Sequence, residues 1–493
     1  MTSIFFDLET TDRSPLGQIL NCHFIVVGKS WERLGDFSLD IRISPLQLPS
    51  PGAILVNRTA VLDHQAGDAV PEAEAMRRIS KFISSVIDRS TRPVELIGFN
   101  SGKFDITHLR TSMIRNGVNP FFYGKVISRD LLHTARYLSA TNPDFPRDPR
   151  PGSTGEDRLR LSLRLETLAT FFGLLQGAQS HHSSGDTELT LSLAKLFAER
   201  FGRDVRHSPG YDAAQLHSAG NSTSVVAAVF PNYDLTSSDH YLRTPYAFLG
   251  GDPRSGLWVD LTKYREGRGR EAVRLINGTS GFLHIEHHAH LRDEFHNDAA
   301  EARSQFRELT VQNFYQRSCC DIEADIYRLF DANGIDALAR AIQHKDSGIV
   351  SAPQLRDARV LLTRYKMSNM DWSRATADQE RLLHDYALYR YGGRCNIRKS
   401  FRGDLDPAIE NEAAHATLGE QMRELDTRLE TATPEDRRLL EQLREFYESS
   451  PIMRVAGKEL LEIQRAKPLQ LAPEDLAVPP HHTRDIARGD LLP

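Results

Sequence analysis

Cysteine is scarce. The 493 residues contain four, Cys22, Cys319, Cys320 and Cys395. The adjacent pair has neither a zinc spacing nor the look of a disulfide framework, which points to a reducing cytoplasm and to simple helix packing at Cys319-Cys320. Long hydrophobic runs are also missing. None approaches the roughly 20 residues needed to span a bilayer, so no membrane association is expected. An apolar strand starting almost at Met1 leaves no room for a signal peptide. There is no basic excess either. The formal net charge is −5, so a nucleic-acid surface would have to be a local patch. No internal repeat is found. What remains is globular in character, 40% hydrophobic and 26% charged. It is too long for one ordinary core, so two or three domains are expected.

The most informative stretch is Asp7-Leu8-Glu9, at the end of the apolar run Ile4-Phe5-Phe6. A short apolar run reads as a buried strand, and alternation puts Asp7 and Glu9 on one side of it. Two carboxylates on one face repel unless a cation lies between them, and hard divalent cations such as Mg²⁺ take oxygen ligands. An isolated D-x-E is weak by itself, so further ligands must come from elsewhere.

Residues 1–203 alternate strands and helices, which implies an α/β layered domain. Strands are expected at 24–28, 37–43 and 94–99. Residues 46–52 read as a Pro-rich loop. A helix is expected at 73–87, with Met76, Ile79, Phe82 and Ile83 or Val86 on its apolar face. Another runs to about Asn116 and is closed by Gly117. Residues 142–157 read as a mobile loop, followed by helices at 162–172 and 186–201. Residues 204–305 read as a linker with a helix at 223–229, then a small β-rich module with strands at 257–261 and 282–290. Residues 306–465 read as helical. The clearest case starts at Thr433, an N-cap followed by Pro434, Glu435 and Asp436, with Leu439, Leu440, Leu443, Phe446 and Tyr447 on one face. Residues 466–493 hold five prolines and read as a disordered tail.

Two more acids stand at helix starts. Asp105 follows the strand at 94–99 through Asn100 and Phe104, and Asp186 opens the helix at 186–201. His181 precedes Asp186 by five residues in a loop. The ordered set D-x-E, N-x-x-x-F-D and H-x-x-x-x-D is hard to obtain by chance.

These stretches resemble the three motifs of the DEDDh 3′–5′ exonucleases: Phe5 to Thr10, Gly98-Phe99-Asn100 with Phe104-Asp105, and His181 with Asp186. The segments Leu48-Pro49-Ser50-Pro51-Gly52-Ala53-Ile54-Leu55 and Ser162-Leu163-Arg164-Leu165-Glu166-Thr167-Leu168 narrow the resemblance to the bacterial exodeoxyribonuclease I family. It is strong over about residues 1–200 and diffuse beyond. It implies a ribonuclease H-like exonuclease domain with a mixed sheet, a small SH3-like β module and an α-helical domain. It also implies Asp7, Glu9, Asp105 and Asp186 as ligands of two Mg²⁺ ions, with Mn²⁺ able to substitute, and His181 as general base. Thr10, Asn100, Phe104, Arg164, Tyr389, Arg390 and Arg394 are the expected substrate contacts. The implied activity is hydrolysis of single-stranded DNA from the 3′ end to nucleoside 5′-monophosphates, in DNA repair or recombination. The implied partner is the tail of single-strand DNA-binding protein, and a monomer is expected.

Two departures stand out. Asp12 occupies a position where the family has glycine, which permits close approach to the terminal sugar. His181-His182 is a doublet; the spacing selects His181, and His182 is the substitute. Two other clusters carry rival readings. His284, Glu286, His288 and His290 would share one strand face, as a metal site or as an exposed polar face. The stretch Tyr389 to Arg394, with Arg398, Lys399 and Arg402, combines cations and rings as single-strand binders do, or is a solvated basic loop. An RNase or oligoribonuclease of the same chemistry, and a binding protein with a relict nuclease fold, stand as the alternatives.

Overall fold

The computed structural model describes residues 2–14, 17–102, 104–120, 122, 124–142, 144–145, 163–175, 182–207, 225–231, 241–252, 255–277, 284–286, 288–314, 374–392 and 417–462. The first layer begins with β1 (Ser3–Thr10), β2 (Ile19–Val27) and β3 (Arg33–Arg42), followed by the short helices α1 (Pro51–Val56) and α2 (Val61–Ala66). Then come β4 (Val70–Pro71), α3 (Glu72–Asp88), β5 (Val94–Gly98), α4 (Asp105–Arg115), β6 (Val126–Asp130), α5 (Leu131–Thr141), α6 (Leu165–Phe171) and α7 (Ser183–Phe201). The six strands form one sheet in the order β4-β3-β2-β1-β5-β6. β1 is antiparallel to β2 and parallel to β5, so the sheet is mixed as expected.

Alternation along β1 decides the layering. Ile4, Phe6 and Leu8 pack with Phe24, with Met76, Ile79 and Ile83 of α3, and with Leu109 and Met113 of α4. Phe5 packs on the opposite face with Leu131 and Leu132 of α5, Leu168 of α6, and Leu193 and Phe197 of α7. Asp7 and Glu9 continue that second face, toward the start of α7.

The second sheet contains β7 (Val226–Pro231), β8 (Tyr241–Asp252), β9 (Ser255–Asp260), β10 (Val273–Asn277) and β11 (His284–Glu286). Its order is β10-β9-β8-β7-β11 and every pairing is antiparallel. α8 (Leu261–Arg265), α9 (Ala289–Gln305) and α10 (Val311–Phe314) accompany it. The last described elements are α11 (Ala377–Tyr391), α12 (Leu418–Thr431), α13 (Pro434–Ser449) and α14 (Pro451–Glu462).

Three sequence expectations are corrected. The Pro-rich stretch at 46–52 is only partly a loop. Ser50 caps α1 by accepting from the Ala53 amide at 3.2 Å, and Pro51 fills the first turn, where its missing N–H costs nothing. The helix expected at 223–229 is the strand β7, since a short apolar run rich in Val fits a pleated surface as well as a helix. The strand expected at 282–290 stops at Glu286. Phe295, Ala299 and Ala302 then recur at helical spacing and bury the inner face of the 17-residue α9. The β-rich module therefore carries a long helix. The tail at 466–493, Cys319, Cys320, Cys395, and most of the loop at 142–157 lie outside the described residues.

One core joins the N-terminal layer to the last helices. Leu46, Leu48, Ile54, Leu55 and Val61 are buried with Leu383, Tyr386 and Tyr391 of α11 and with Leu440, Leu443 and Tyr447 of α13. The Tyr391 hydroxyl accepts from the Leu48 amide at 2.8 Å, and the Tyr447 hydroxyl donates to the Pro49 carbonyl. Gln442 Oε1 accepts from the Leu62 amide at 2.9 Å. The segment after β3 is thus enclosed by helices that lie far away in sequence.

Candidate active site

Asp7 and Glu9 stand within β1, opposite His23 and Asn21 of β2. α7 crosses the same face, and two hydrogen bonds to β2 fix its first turn. The Ser183 amide donates to Asn21 Oδ1 at 3.3 Å, and the Thr187 hydroxyl donates to the His23 carbonyl at 3.3 Å. This places Asp186 over the strand. Asp7, Glu9 and Asp186 each bring a carboxylate oxygen within 4.8 Å of the others, the one such group of possible metal ligands among the described residues. Asp105 is the first residue of α4 and its Oδ1 accepts from the Leu8 amide at 3.1 Å, between the two acids of β1.

The electrostatics follow from this crowding. Glu9, Asp105 and Asp186 are 7%, 4% and 6% exposed, and Asp7 is half-buried. Burial, then the charges of Asp105, Asp186 and Glu9, push the Asp7 carboxyl well above its ordinary range. Burial, Asp186 and Asp105 do the same to Glu9. Asp105 is raised by burial, against hydrogen bonds from the Leu8 amide and its own amide that pull it down. Four acids gathered out of water are unfavourable as anions. All-oxygen donors at this spacing suit a hard divalent cation, whose charge would reverse those shifts.

The loop between β5 and α4 is held by a residue that the sequence reading missed. Asp130, at the end of β6, accepts from the Asn100 amide at 2.8 Å and the Gly102 amide at 3.3 Å, and caps α5 through the Leu132 amide at 3.0 Å. It thereby holds Asn100 at a φ of +59°, uncommon outside glycine. Gly98 is required just before it, because a Cβ there would lie 2.4 Å from the Ser101 Cβ and 3.2 Å from the Phe6 carbonyl. The Val126 to Asp130 run with an acid at a helix start carried the signal for Asp130.

The remaining expected residues are placed as follows. Thr10 is buried, its hydroxyl donating to the Asp12 carbonyl at 2.8 Å. Phe104 precedes Asp105, its ring centroid 4.4 Å from that of His108. Arg164 is half-buried just before α6. His182 caps α7, its Nδ1 accepting from the Ser184 amide at 3.4 Å, whereas His181 lies outside the described residues. Tyr389 stands on α11, and Arg394, Arg398, Lys399 and Arg402 lie outside the described residues. Arg390 is not on a solvated loop. Its side chain is 2% exposed and donates to Asp12 Oδ2 at 3.2 Å. The histidine-rich run is not one strand face: Glu286 ends β11, His288 stands at the residue before α9 without a side-chain capping bond, and Glu286 pairs with Arg243 and His288 at 2.9 and 2.8 Å.

No protein-family model matches the sequence, and no curated protein matches it. Solved structures do match. Exonuclease I from Methylocaldum szegediense is 17% identical, covering 93% of this chain and 99% of that one with a TM-score of 0.60. Exonuclease I of E. coli in complex with a 5cy-dA13 oligonucleotide is 19% identical, covering 91% and 99% with a TM-score of 0.60. An ExoI/SSB-Ct complex is 18% identical, covering 91% and 99% with a TM-score of 0.60. The chain has the exonuclease I fold over nearly its whole length. Among the described residues no helix is long and apolar enough to cross a membrane.

Proposed function

We propose that the protein is a divalent-metal-dependent 3′–5′ exonuclease that degrades single-stranded DNA to nucleoside 5′-monophosphates. The observation that carries this reading is the convergence of Asp7, Glu9, Asp105 and Asp186 from three separate elements. The shared fold with an oligonucleotide-bound exonuclease I supports the substrate.

Asp7, Glu9, Asp105 and Asp186 would hold two Mg²⁺ ions. Bound there, the metal supplies Lewis acidity toward the phosphodiester and lowers the pKa of water. The protein's own part is to place and move groups around the terminal phosphate. β1 holds Asp7 and Glu9 rigidly, and the Leu8 amide fixes Asp105 beside them. His181, one residue before the cap of α7, takes a proton from the attacking water. The water oxygen bonds to phosphorus as the phosphorus–O3′ bond breaks, the O3′ left on the shortened strand takes up a proton from solvent, and the 3′-terminal nucleoside leaves with its 5′-phosphate. The Asn100 loop, held by Asp130, leads into Asp105, and Thr10, Phe104 and Arg164 would contact the terminal nucleotide. Tyr389 and Arg394 would serve the strand further back, whereas the Arg390 side chain is turned inward to Asp12. A role in DNA repair or recombination in the cytoplasm, and docking of the tail of single-strand DNA-binding protein, complete the reading; the ExoI/SSB-Ct complex supports the latter.

The test is incubation of the purified protein with 3′-labelled and 5′-labelled deoxy- and ribo-oligonucleotides, with Mg²⁺ or EDTA. The expected result is immediate release of the 3′ label as mononucleotide from DNA only with metal. Equal or faster cleavage of RNA favours the ribonuclease alternative, and binding without cleavage favours the relict fold.

A further inference from the structure

The turn that follows Glu9 is tied directly to α11. Asp12 lies in this turn, three residues from a metal-ligand candidate, and Arg390 reaches it across 378 residues of sequence. The bond is a single one at 3.2 Å, and among the described residues Arg390 Nε and Nη1 have no hydrogen-bond partner. Its guanidinium is 5.0 Å from the Tyr391 ring centroid. Burial disfavours its charge, but Tyr391, Asp12 and Tyr386 outweigh burial and keep it protonated. A buried pair with two unsatisfied donors is a poor source of stability, since a well-packed apolar pair usually does as well or better. What such a pair does supply is a fixed position for both partners.

The turn has other anchors of its own. Its Thr10 carbonyl accepts from Asn57 Nδ2 at 2.8 Å, its Thr11 carbonyl from the Ser50 amide at 2.8 Å, and its Asp12 carbonyl makes a 3.2 Å contact with His108 Nε2. The Asn57 and Ser50 anchors belong to the segment enclosed by α11 and α13. So the helices reach the turn by two routes, one through this segment and one through Arg390. Only the second acts on a side chain within the turn itself.

We propose that Arg390 is a positioning residue: through Asp12 it clamps the turn after Glu9 to α11, so that seating of the last helices sets the placement of the catalytic strand end. Asp12, at a position where the resembling family has glycine, then has its charge directed to Arg390 rather than toward the substrate.

Amide hydrogen exchange and single-turnover cleavage, measured on the full chain, test this. The variants are R390M, R390K, D12N/R390M and, as a control on the other route, Y391F. In R390M the peptide covering residues 8–14 should exchange about tenfold faster while peptides of β2 and β3 stay unchanged. R390K should restore much of the protection. D12N/R390M removes the carboxylate that R390M deprives of its guanidinium, so it should regain the thermal stability lost in R390M. It should regain neither the protection of residues 8–14 nor the rate, which should remain about 10–10² below wild type. Y391F should lower stability without changing exchange at 8–14. The rate arm rests on the proposed exonuclease reading and the exchange arm does not. A wild type that fails to cleave DNA defeats that reading, and exchange still judges the clamp. Unchanged exchange in R390M overturns the clamp. Recovery of stability, protection and rate together in D12N/R390M also overturns it, since Arg390 would then only neutralise Asp12. If R390M does not fold, R390K and D12N/R390M carry the same comparison.

Discussion

The two faces of β1 are built from the same eight residues and reach opposite ends. On one face Ile4, Phe6 and Leu8 meet α3 and α4 in a continuous apolar core, with the Phe6 and Phe24 rings stacked 5.7 Å apart. On the other face Phe5 starts a core of the same kind. Two residues later the face turns to Asp7 and Glu9, joined by Asp186. Backbone pairing is identical for both faces, so the difference lies wholly in the side chains. The apolar face can hold the strand in register with little help from the other. This leaves the acidic face free to keep charges that folding alone disfavours. Stability and chemistry are divided across about one strand's thickness.

Substitutions on each face should break this division in opposite ways. The largest effect is expected from Asp7→Asn or Asp186→Asn. Each removes a ligand charge worth several kcal/mol to the transition state, so single-turnover cleavage should fall about 10³-fold or more. High Mg²⁺ or Mn²⁺ should relieve part of the loss. Metal-free melting should be unchanged or higher, and a Tm well below wild type would show that the acids also hold the fold.

His181→Ala should lower the rate by roughly 10²–10⁴ with metal affinity unchanged, and a rise in pH should recover part of it. A near-wild-type rate in this variant would remove His181 from the mechanism.

On the apolar face, Phe6→Ala should cost about 3–5 kcal/mol in denaturant unfolding, while the molecules that remain folded bind metal normally. Loss of metal binding in the folded fraction would mean that the faces are coupled.

A smaller effect concerns pH. Asp7, Glu9 and Asp105 have raised carboxyls when no metal is bound. Above the ordinary carboxylate range, about pH 4, the unfolded chain has released protons that the folded one still holds. Metal-free stability from these groups therefore falls as pH rises from about 4 through their raised range. Melting curves in EDTA, taken as wild type minus Asp7→Asn to cancel all other groups, should show this decline, and Mg²⁺ should flatten it. A difference that grows more favourable to wild type with rising pH contradicts the assignment.

The smallest change is expected from His182→Ala, which removes a helix cap worth about 1 kcal/mol and leaves the rate alone. If this variant were the inactive one and His181→Ala normal, the motif register would be off by one residue.

What the sequence revealed tracks how local each signal is. Asp7 and Glu9 were legible because period two is a property of the strand itself. Asp105 and Asp186 were legible because each stands at a helix start. Helix α3 matched its expected span within a residue at each end, since Met76, Ile79 and Ile83 repeat strictly. Pro51 and Gly52, the end of the expected loop at 46–52, were misread because proline suits both a loop and a first helical turn. β7 was misread because five apolar residues carry no period long enough to separate strand from helix. Asp130 escaped notice because its work is done on backbone amides about 30 residues away. Arg390 read as part of an exposed basic stretch because nothing local records a partner 378 residues distant.

The enclosed segment between β3 and α2 has a consequence for synthesis. Leu46, Leu48, Ile54 and Leu55 leave the ribosome early, and the helices that cover them leave late. Pro49 and Tyr447, which share a hydrogen bond, are 398 positions apart. At about 5–20 residues per second, the apolar side chains of this segment wait roughly 20–80 s for their cover. During that interval the nascent chain presents a sticky loop beside an otherwise complete sheet. A ribosome stalled before α11 should therefore display a chaperone-binding site that the finished protein has buried.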